Sequence, residues 1–97
     1  MFGITNGKGF QMSFANGWTV SVQFGRGNYC ANQSYAPADF DKPEVGHSPN
    51  AEIAAWHNTP DGEQWHNFGD GDCDEVKGHC SADEVAAFIS MIAAQPK

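Results

Sequence analysis

Acidic residues are missing from the first part of this chain, and basic residues are scarce throughout it. Residues 1–38 contain no Asp or Glu, whereas all twelve acidic residues lie between Asp39 and Glu84. The chain has only five Lys and Arg side chains, and its formal net charge is −7. Nucleic-acid-binding surfaces need clustered basic side chains to neutralise phosphates, so we expect no direct binding to nucleic acid. An acidic surface of this kind instead attracts partner proteins that have a basic surface.

The chain also has no long apolar run, and its number of cysteines is odd. No segment approaches the roughly 18 consecutive apolar residues of a membrane span, so we expect no membrane protein. The start, MFGITNGKGF, has neither the basic nor the apolar region of a secretory signal peptide, which indicates a cytoplasmic protein. Three cysteines fit a reducing compartment better than a disulfide framework.

Two apolar runs with a period of two predict a β-hairpin in the acid-free part. In residues 10–14 and 18–24, apolar and polar side chains alternate, which is the pattern of half-buried strands. A three-residue loop at 15–17, with Gly17 in the left-handed conformation, places the apolar side chains of both strands on one face. A two-residue turn would shift the register by one residue and put them on opposite faces.

A second hairpin is predicted by the turn sequence TPDG. It connects residues 51–57 with residues 63–68, and Pro60 suits the second position of the turn. This register places Trp56 opposite Trp65. An exposed tryptophan face of this kind also makes a homodimer possible.

The last predicted element is an amphipathic helix. Ser81 and Glu84 form the capping box that is typical of a helix start. The apolar stripe that follows has helical spacing and consists of Val85, Phe88, Ile89 and Ile92.

Together these elements predict a single domain over residues 1–97 in the α+β class. We expect an antiparallel β-sheet of two hairpins, with four to five strands, and one C-terminal α-helix packed on one face. A hydrophobic content of 40 % is sufficient for one core. Residues 25–50 show no periodicity and are expected to form a long irregular loop.

The segment 69–80, GDGDCDEVKGHC, allows more than one interpretation. A small zinc-stabilised binding module would use Cys73, His79, Cys80 and Cys30 as ligands. The segment has no pair of cysteines two to four residues apart, which zinc sites usually contain, so this module is the alternative hypothesis. Cys80 also directly precedes the helix cap, where an apolar residue packs as a hydrophobic staple.

The same segment does not have the pattern of a regular calcium site. Asp70, Asp72 and Asp74 alternate as calcium ligands do, but Glu75 stands where the EF-hand loop requires glycine. We therefore interpret the segment as an acidic loop that leads into the helix. No metal and no other cofactor is expected.

Two histidines and a cysteine are the candidates for catalysis. His57 and His66 fall on one face of the second predicted hairpin, and Cys30 lies in the long loop. No local motif places a hydroxyl or a thiol beside these histidines. We therefore expect that the protein is not an enzyme.

Three stretches resemble small proteins encoded by bacteriophages and prophages, namely FANGWTVSVQFGRGNYC, AEIAAWHNTPDGEQW and DEVKGHCSADEVAAFISMI. The resemblance covers most of the chain outside residues 31–50 and includes no catalytic motif. It implies the cytoplasm of an infected bacterium as the setting. Small acidic phage proteins include anti-CRISPR and other anti-defence inhibitors, some of which mimic the charge of DNA.

The resulting hypothesis is a non-catalytic phage-type accessory protein that binds and inhibits a host protein complex. It would act as an anti-CRISPR or other anti-defence inhibitor, because an acidic surface that mimics nucleic acid can occupy a basic groove. The residues predicted to bind the partner are Asp39, Asp41, Glu44, Asp70, Asp72, Asp74 and Glu75.

Overall fold

The computed structural model describes residues 1–5, 8–39, 46–69 and 74–97. In sequence order, the strands and the helix are β1 (Phe2–Ile4), β2 (Gly9–Ser13), β3 (Trp18–Gln23), β4 (Ala51–Thr59), β5 (Gly62–Trp65), β6 (Lys77–Cys80) and α1 (Ala82–Ala93). A short 3-10 helix, Pro37–Asp39, lies in the long connection between β3 and β4. No helix among the described residues is long and apolar enough to cross a membrane.

The strands form one antiparallel sheet and α1 packs on one of its faces, which confirms the predicted α+β class. Strands β1 to β4 follow one another across the sheet in sequence order. One edge of β4 pairs with β3. The other edge pairs with β5 along Trp56–Thr59 and with β6 along Ala51–Ile53. β4 therefore joins the two halves of the sheet.

Both predicted hairpins have the predicted register. In the first, Met12 lies opposite Val20, and Gly17 in the loop has a φ of 91°. In the second, Trp56 lies opposite Trp65. These registers place the apolar residues of neighbouring strands on the same side, as the alternation predicted.

The sheet has six strands, whereas the sequence predicted four to five. The strands that the sequence did not predict are β1 and β6. β1 is only three residues long, and β6 contains a single apolar residue, Cys80, so neither shows a clear alternation. The interpretation of residues 69–80 as a loop is therefore wrong for their last four. β6 forms because its backbone pairs with β4, although this pairing is irregular between Ala51 and Ile53. His79 accordingly has a φ of 55°, which is unusual for a residue other than glycine.

The alternation along the strands gives the sheet two chemically different faces. We call the side beneath α1 the helix face, and the opposite side the open face. The core between the helix face and α1 consists of Val20, Val22, Ala51, Ile53, Ala55, Cys80, Val85, Phe88 and Ile92. Burial of one side chain of the size of Val or Ile contributes about 1.5–3 kcal/mol. The open face, in contrast, carries the polar residues Thr19, Ser21 and Gln23 of β3.

Side-chain hydrogen bonds hold α1 at both ends. The predicted capping box is confirmed: the Glu84 N–H donates to Ser81 Oγ (3.2 Å), and the Ser81 N–H donates to the Glu84 carboxylate (3.0 Å). The hydrogen bonds that the Glu84 carboxylate accepts from the backbone and side chain of Ser81 lower its pKa, so the stability that they give is lost as the pH falls through the lowered pKa. At the other end, the Asn16 amide donates to the C=O groups of Ile92 (2.9 Å) and Gln95 (2.9 Å). Asn16 belongs to the loop of the first hairpin and therefore fastens the helix to the sheet.

Replacement Asn16→Ala should lower the free energy of unfolding by about 1–3 kcal/mol, because it removes the donor for carbonyl groups at the helix end. Urea denaturation followed by circular dichroism measures this change. Asn58→Ala is the matched control, since Asn58 is exposed and its side chain has no hydrogen bond among the described residues. The control should change stability by less than about 0.5 kcal/mol. Equal effects of the two substitutions would contradict the role of Asn16.

Candidate functional site

A cleft of about 620 Å³ lies on the open face of the sheet. Its floor includes Gln11 of β2 and Ser21 and Gln23 of β3. Trp56 of β4 and Trp65 of β5 form one wall. The loop after β3 and the segment before β2 border the other side. A cleft of this size is large enough for a small ligand, since such sites measure roughly 300–1,000 Å³.

The wall consists of two adjacent indole rings. Trp56 and Trp65 lie directly opposite each other in the β4–β5 hairpin, which brings their ring centroids to 4.8 Å with an angle of 37° between the planes. Trp65 is 39 % exposed. Neither indole N–H has a hydrogen-bond partner in the part of the protein that the structure describes. The wall therefore offers apolar aromatic surface to the cleft.

The floor is polar, and part of it is held rigidly. The Gln23 amide donates to Thr5 Oγ1 (3.0 Å) and to Ser21 Oγ (3.1 Å). Gln23 is only 8 % exposed although it lies on the open face, because β3 is flanked by β2 and β4. Gln11 is half-buried, and its side-chain amide has no hydrogen-bond partner among the described residues. Gln11 is therefore the amide of the floor that is available to a ligand.

Glu52 fixes the rim of the cleft against the floor. Its carboxylate accepts hydrogen bonds from the Asn28 side-chain amide (3.2 Å) and from the Tyr29 N–H (2.8 Å). Asn28 Oδ1 in turn accepts from the Gly25 N–H (2.9 Å). Among the described residues that line the cleft, Lys8 and Glu52 are the charged ones. Their formal charges cancel, so the described lining of the cleft has no net formal charge.

The acidic residues that were predicted to bind a partner are only partly described. Four of them lie outside the described residues, namely Asp41, Glu44, Asp70 and Asp72. Asp39 is half-buried and its carboxylate accepts a hydrogen bond from the Ser34 hydroxyl (2.9 Å). Asp74 is also half-buried, and one of its carboxylate oxygens has no hydrogen-bond partner among the described residues. Glu75 is exposed to solvent.

The four residues of the alternative zinc site lie in different surroundings. Cys73 falls outside the described residues. Within the described ranges, no group of three or more His, Cys, Asp and Glu side chains is placed to hold a metal ion. Cys80 is buried in the core cluster that also contains Val85, as a hydrophobic staple requires. Cys30 is buried and its thiol donates to a backbone carbonyl oxygen of the loop (3.4 Å), whereas His79 is exposed.

The two histidines considered for catalysis have separate aromatic partners. His57 stacks on Trp18, with ring centroids 5.2 Å apart and planes at 10°. His66 packs edge-on against Phe68 and Phe88, and burial lowers the pKa of His66. Both rings therefore contribute packing to the structure around the core.

The tryptophan wall was predictable, whereas the cleft was not. The turn sequence between β4 and β5 fixes the pairing of the two tryptophans. The cleft gathers residues from β2, β3, β4 and β5 and from the loop after β3. The alternation identified Gln11, Ser21 and Gln23 as polar positions of strands, but it does not indicate that they line a concave surface.

Comparison of the sequence and the structure with protein-family profiles, with curated proteins and with solved structures finds no match. No substrate or partner is therefore transferred from a relative. The interpretation of the cleft depends on its geometry and chemistry.

Cys30 and Cys80 should react slowly with iodoacetamide in the folded protein at neutral pH. Their side chains are 2 % and 1 % exposed, and burial, together with the nearby Glu84, raises the pKa of Cys80. Peptide mass spectrometry measures the rate at each cysteine, and protein unfolded in guanidinium chloride is the control. Rapid modification of Cys30 in the folded protein would contradict its buried position and would favour a catalytic thiol.

Proposed function

We propose that this protein is a non-catalytic binding protein, and that it binds a neutral oligosaccharide in the cleft on the open face. The observation that carries the proposal is the combination of two adjacent indoles, Trp56 and Trp65, with a floor of amide and hydroxyl groups. Few ligand classes need a flat apolar surface and a dense set of neutral hydrogen-bonding groups side by side.

A sugar ring matches this combination. The C–H bonds of a pyranose form an apolar face that packs on an aromatic ring, and its hydroxyl groups form a polar rim. Trp56 and Trp65 offer the aromatic surface. The Gln11 amide can both donate and accept, and the Ser21 hydroxyl, whose oxygen accepts from the Gln23 amide, keeps its own O–H to donate to a hydroxyl-rich ligand.

The charge of the cleft favours a sugar over a nucleotide. Nucleobases also stack on aromatic side chains, but their phosphates need several cations nearby. Among the described residues that line the cleft, Lys8 is the only one with a positive charge, and the negative charge of Glu52 offsets it. A neutral ligand therefore fits better than an anionic one.

The arrangement of carboxylates favours binding over catalysis. Hydrolysis of a glycoside typically uses two carboxyl groups, roughly 5–9.5 Å apart, on either side of the bond. Among the described residues that line the cleft, Glu52 is the only one with a carboxylate. Both of its oxygens accept hydrogen bonds from the rim, from Asn28 and from Tyr29, so its role is to position that rim.

Calorimetric titration with chitotriose, maltotriose and cellotriose tests the proposal. We expect at least one of them to bind with a Kd between about 10 μM and 5 mM, because an open cleft buries only part of the ligand. Trp65→Ala should weaken binding at least about tenfold, since it removes stacking surface. Gln11→Ala should weaken binding by a smaller factor, about threefold to tenfold, because it removes one hydrogen-bonding group.

Trp18→Phe is the matched control for the tryptophan substitution. Trp18 stacks on His57 and packs against the core on the helix face, so its loss should leave the affinity for the sugar unchanged. Two results would contradict the proposal. One is the absence of binding for all three sugars up to about 20 mM. The other is equal affinity of Trp65→Ala and the wild-type protein.

The charge distribution favours a second candidate function. In this alternative, the protein is a phage-type accessory protein that inhibits a host complex through an acidic, nucleic-acid-mimicking surface. The observation in its favour is that Glu75, ahead of β6, and Asp83 and Glu84, in the first turn of α1, are all exposed. A concentration of exposed carboxylates increases the rate of association with a basic groove and makes it sensitive to salt.

Replacement Glu75→Lys should weaken capture of such a partner from a bacterial lysate at low salt, because it reverses one exposed charge. Affinity capture at low and at high salt, followed by mass spectrometry, measures the effect. Glu63→Lys is the matched control, since Glu63 is exposed on β5, away from the segment around β6. Asp74 is unsuitable for charge reversal because its carboxylate is partly buried. Capture that is equally strong with Glu75→Lys and with the wild-type protein would contradict this candidate.

A further inference from the structure

Strand β1 forms one edge of the sheet and carries unusually exposed apolar side chains. Phe2 is 77 % exposed and Ile4 is 89 % exposed. Both lie on the helix face, because Phe2 is paired with Met12 and Ile4 with Phe10. Among the described residues, α1 packs mainly over β3 and β4, and the helix face at β1 is exposed to solvent.

Among the described residues, the backbone N–H and C=O groups of Phe2 and Ile4 have no hydrogen-bond partner. The Met1 ammonium donates to the Ser13 C=O, and the Ser13 N–H donates to the Met1 C=O. The Thr5 N–H donates to the Gly9 C=O. In an antiparallel ladder the direction of these groups alternates, so the N–H and C=O groups of residues 2 and 4 point away from β2. An exposed apolar edge with free backbone groups is a template for another strand.

We propose that β1 pairs with the β1 strand of a second copy of this protein, antiparallel and about a two-fold axis at Gly3. In this register, Phe2 of each copy lies opposite Ile4 of the other. The outward N–H and C=O groups of these residues then form hydrogen-bonded pairs, and the apolar side chains meet on the helix face. The edge is therefore self-complementary, as an isologous interface requires.

The distribution of charge favours this edge for self-association. A protein with a net charge of −7 opposes its own association wherever carboxylates meet. Strands β1, β2 and β3 lie within the acid-free residues 1–38. The opposite edge of the sheet contains β5, which carries the exposed Glu63. Pairing through β1 therefore brings together strands that carry no carboxylate side chain.

The area of the contact indicates a weak dimer. The exposed parts of Met1, Phe2 and Ile4 would bury on the order of 400 Å² per copy, or about 800 Å² in total, whereas stable complexes bury roughly 1,200–2,000 Å². We therefore expect a reversible dimer with a Kd of about 10–500 μM.

A cysteine at position 3 tests the register directly. In the proposed register, Gly3 of one copy lies opposite Gly3 of the other in a non-hydrogen-bonded pair. Their Cα atoms would be about 4.5 Å apart, which is within the range of a disulfide. A Cβ at Gly3 has space, since its nearest neighbour is Gln11 Cβ at 3.9 Å. In a Cys73→Ser background, Gly3→Cys should form a disulfide-linked dimer in air. Ile4→Cys is the control and should not, because the two Ile4 Cα atoms would be roughly 9 Å apart.

Sedimentation equilibrium of the wild-type protein from about 10 to 500 μM, with any affinity tag at the C-terminus, tests the dimer itself. We expect the mass to rise from monomer towards dimer, and Ile4→Lys to remain monomeric with an unchanged circular dichroism spectrum. A wild-type monomer at every concentration overturns the proposal and leaves the edge to a strand of a different protein. A dimer that persists in Ile4→Lys, or cross-linking of Ile4→Cys as readily as Gly3→Cys, also overturns it.

Discussion

The antiparallel pairing of β3 with β4 is the contact on which the rest of the structure depends. Val20 and Ala55 lie opposite each other in this pair, and both are completely buried. β2 attaches to the other edge of β3, while β5 and β6 attach to the other edge of β4. A slip of one residue between these two strands would turn the apolar side chains of one of them towards the open face. It would also remove the surface on which α1 packs, so the core and the sheet depend on the same register.

The cleft is a consequence of that register. Each apolar residue of β3 on the helix face alternates with a polar residue on the open face, and the polar residues of β3 face those of β2 and the tryptophan of β4. Formation of the core therefore aligns the floor of the cleft without any additional element. Two copies joined through β1 about an axis perpendicular to the sheet would carry both clefts on the same side. The proposed dimer and the proposed binding site are thus compatible, and they use different residues.

The parts of the fold that the sequence predicts are those with local causes. The alternation around Gly17, the turn that opposes Trp56 to Trp65, and the capping box at Ser81 each involve neighbouring residues, and all three are present in the structure. β6 has no such local cause, because its pairing with β4 stabilises a segment of mostly polar residues. The contact between Asn16 and the end of α1 joins distant parts of the sequence and has no sequence pattern. The same is true of the cleft, whose lining depends on how β2, β3, β4 and β5 are aligned.

The connection between β3 and β4 has a consequence for the folding kinetics of the protein. The β2–β3 and β4–β5 hairpins close short loops and therefore form early, whereas the β3–β4 pair must close the long connection over residues 24–50. The entropy lost in closing a loop grows with its length and has to be overcome before the contacts of the pair are gained. Meeting of the two hairpins is therefore the expected barrier to folding, and a shorter connection would speed folding more than it slows unfolding.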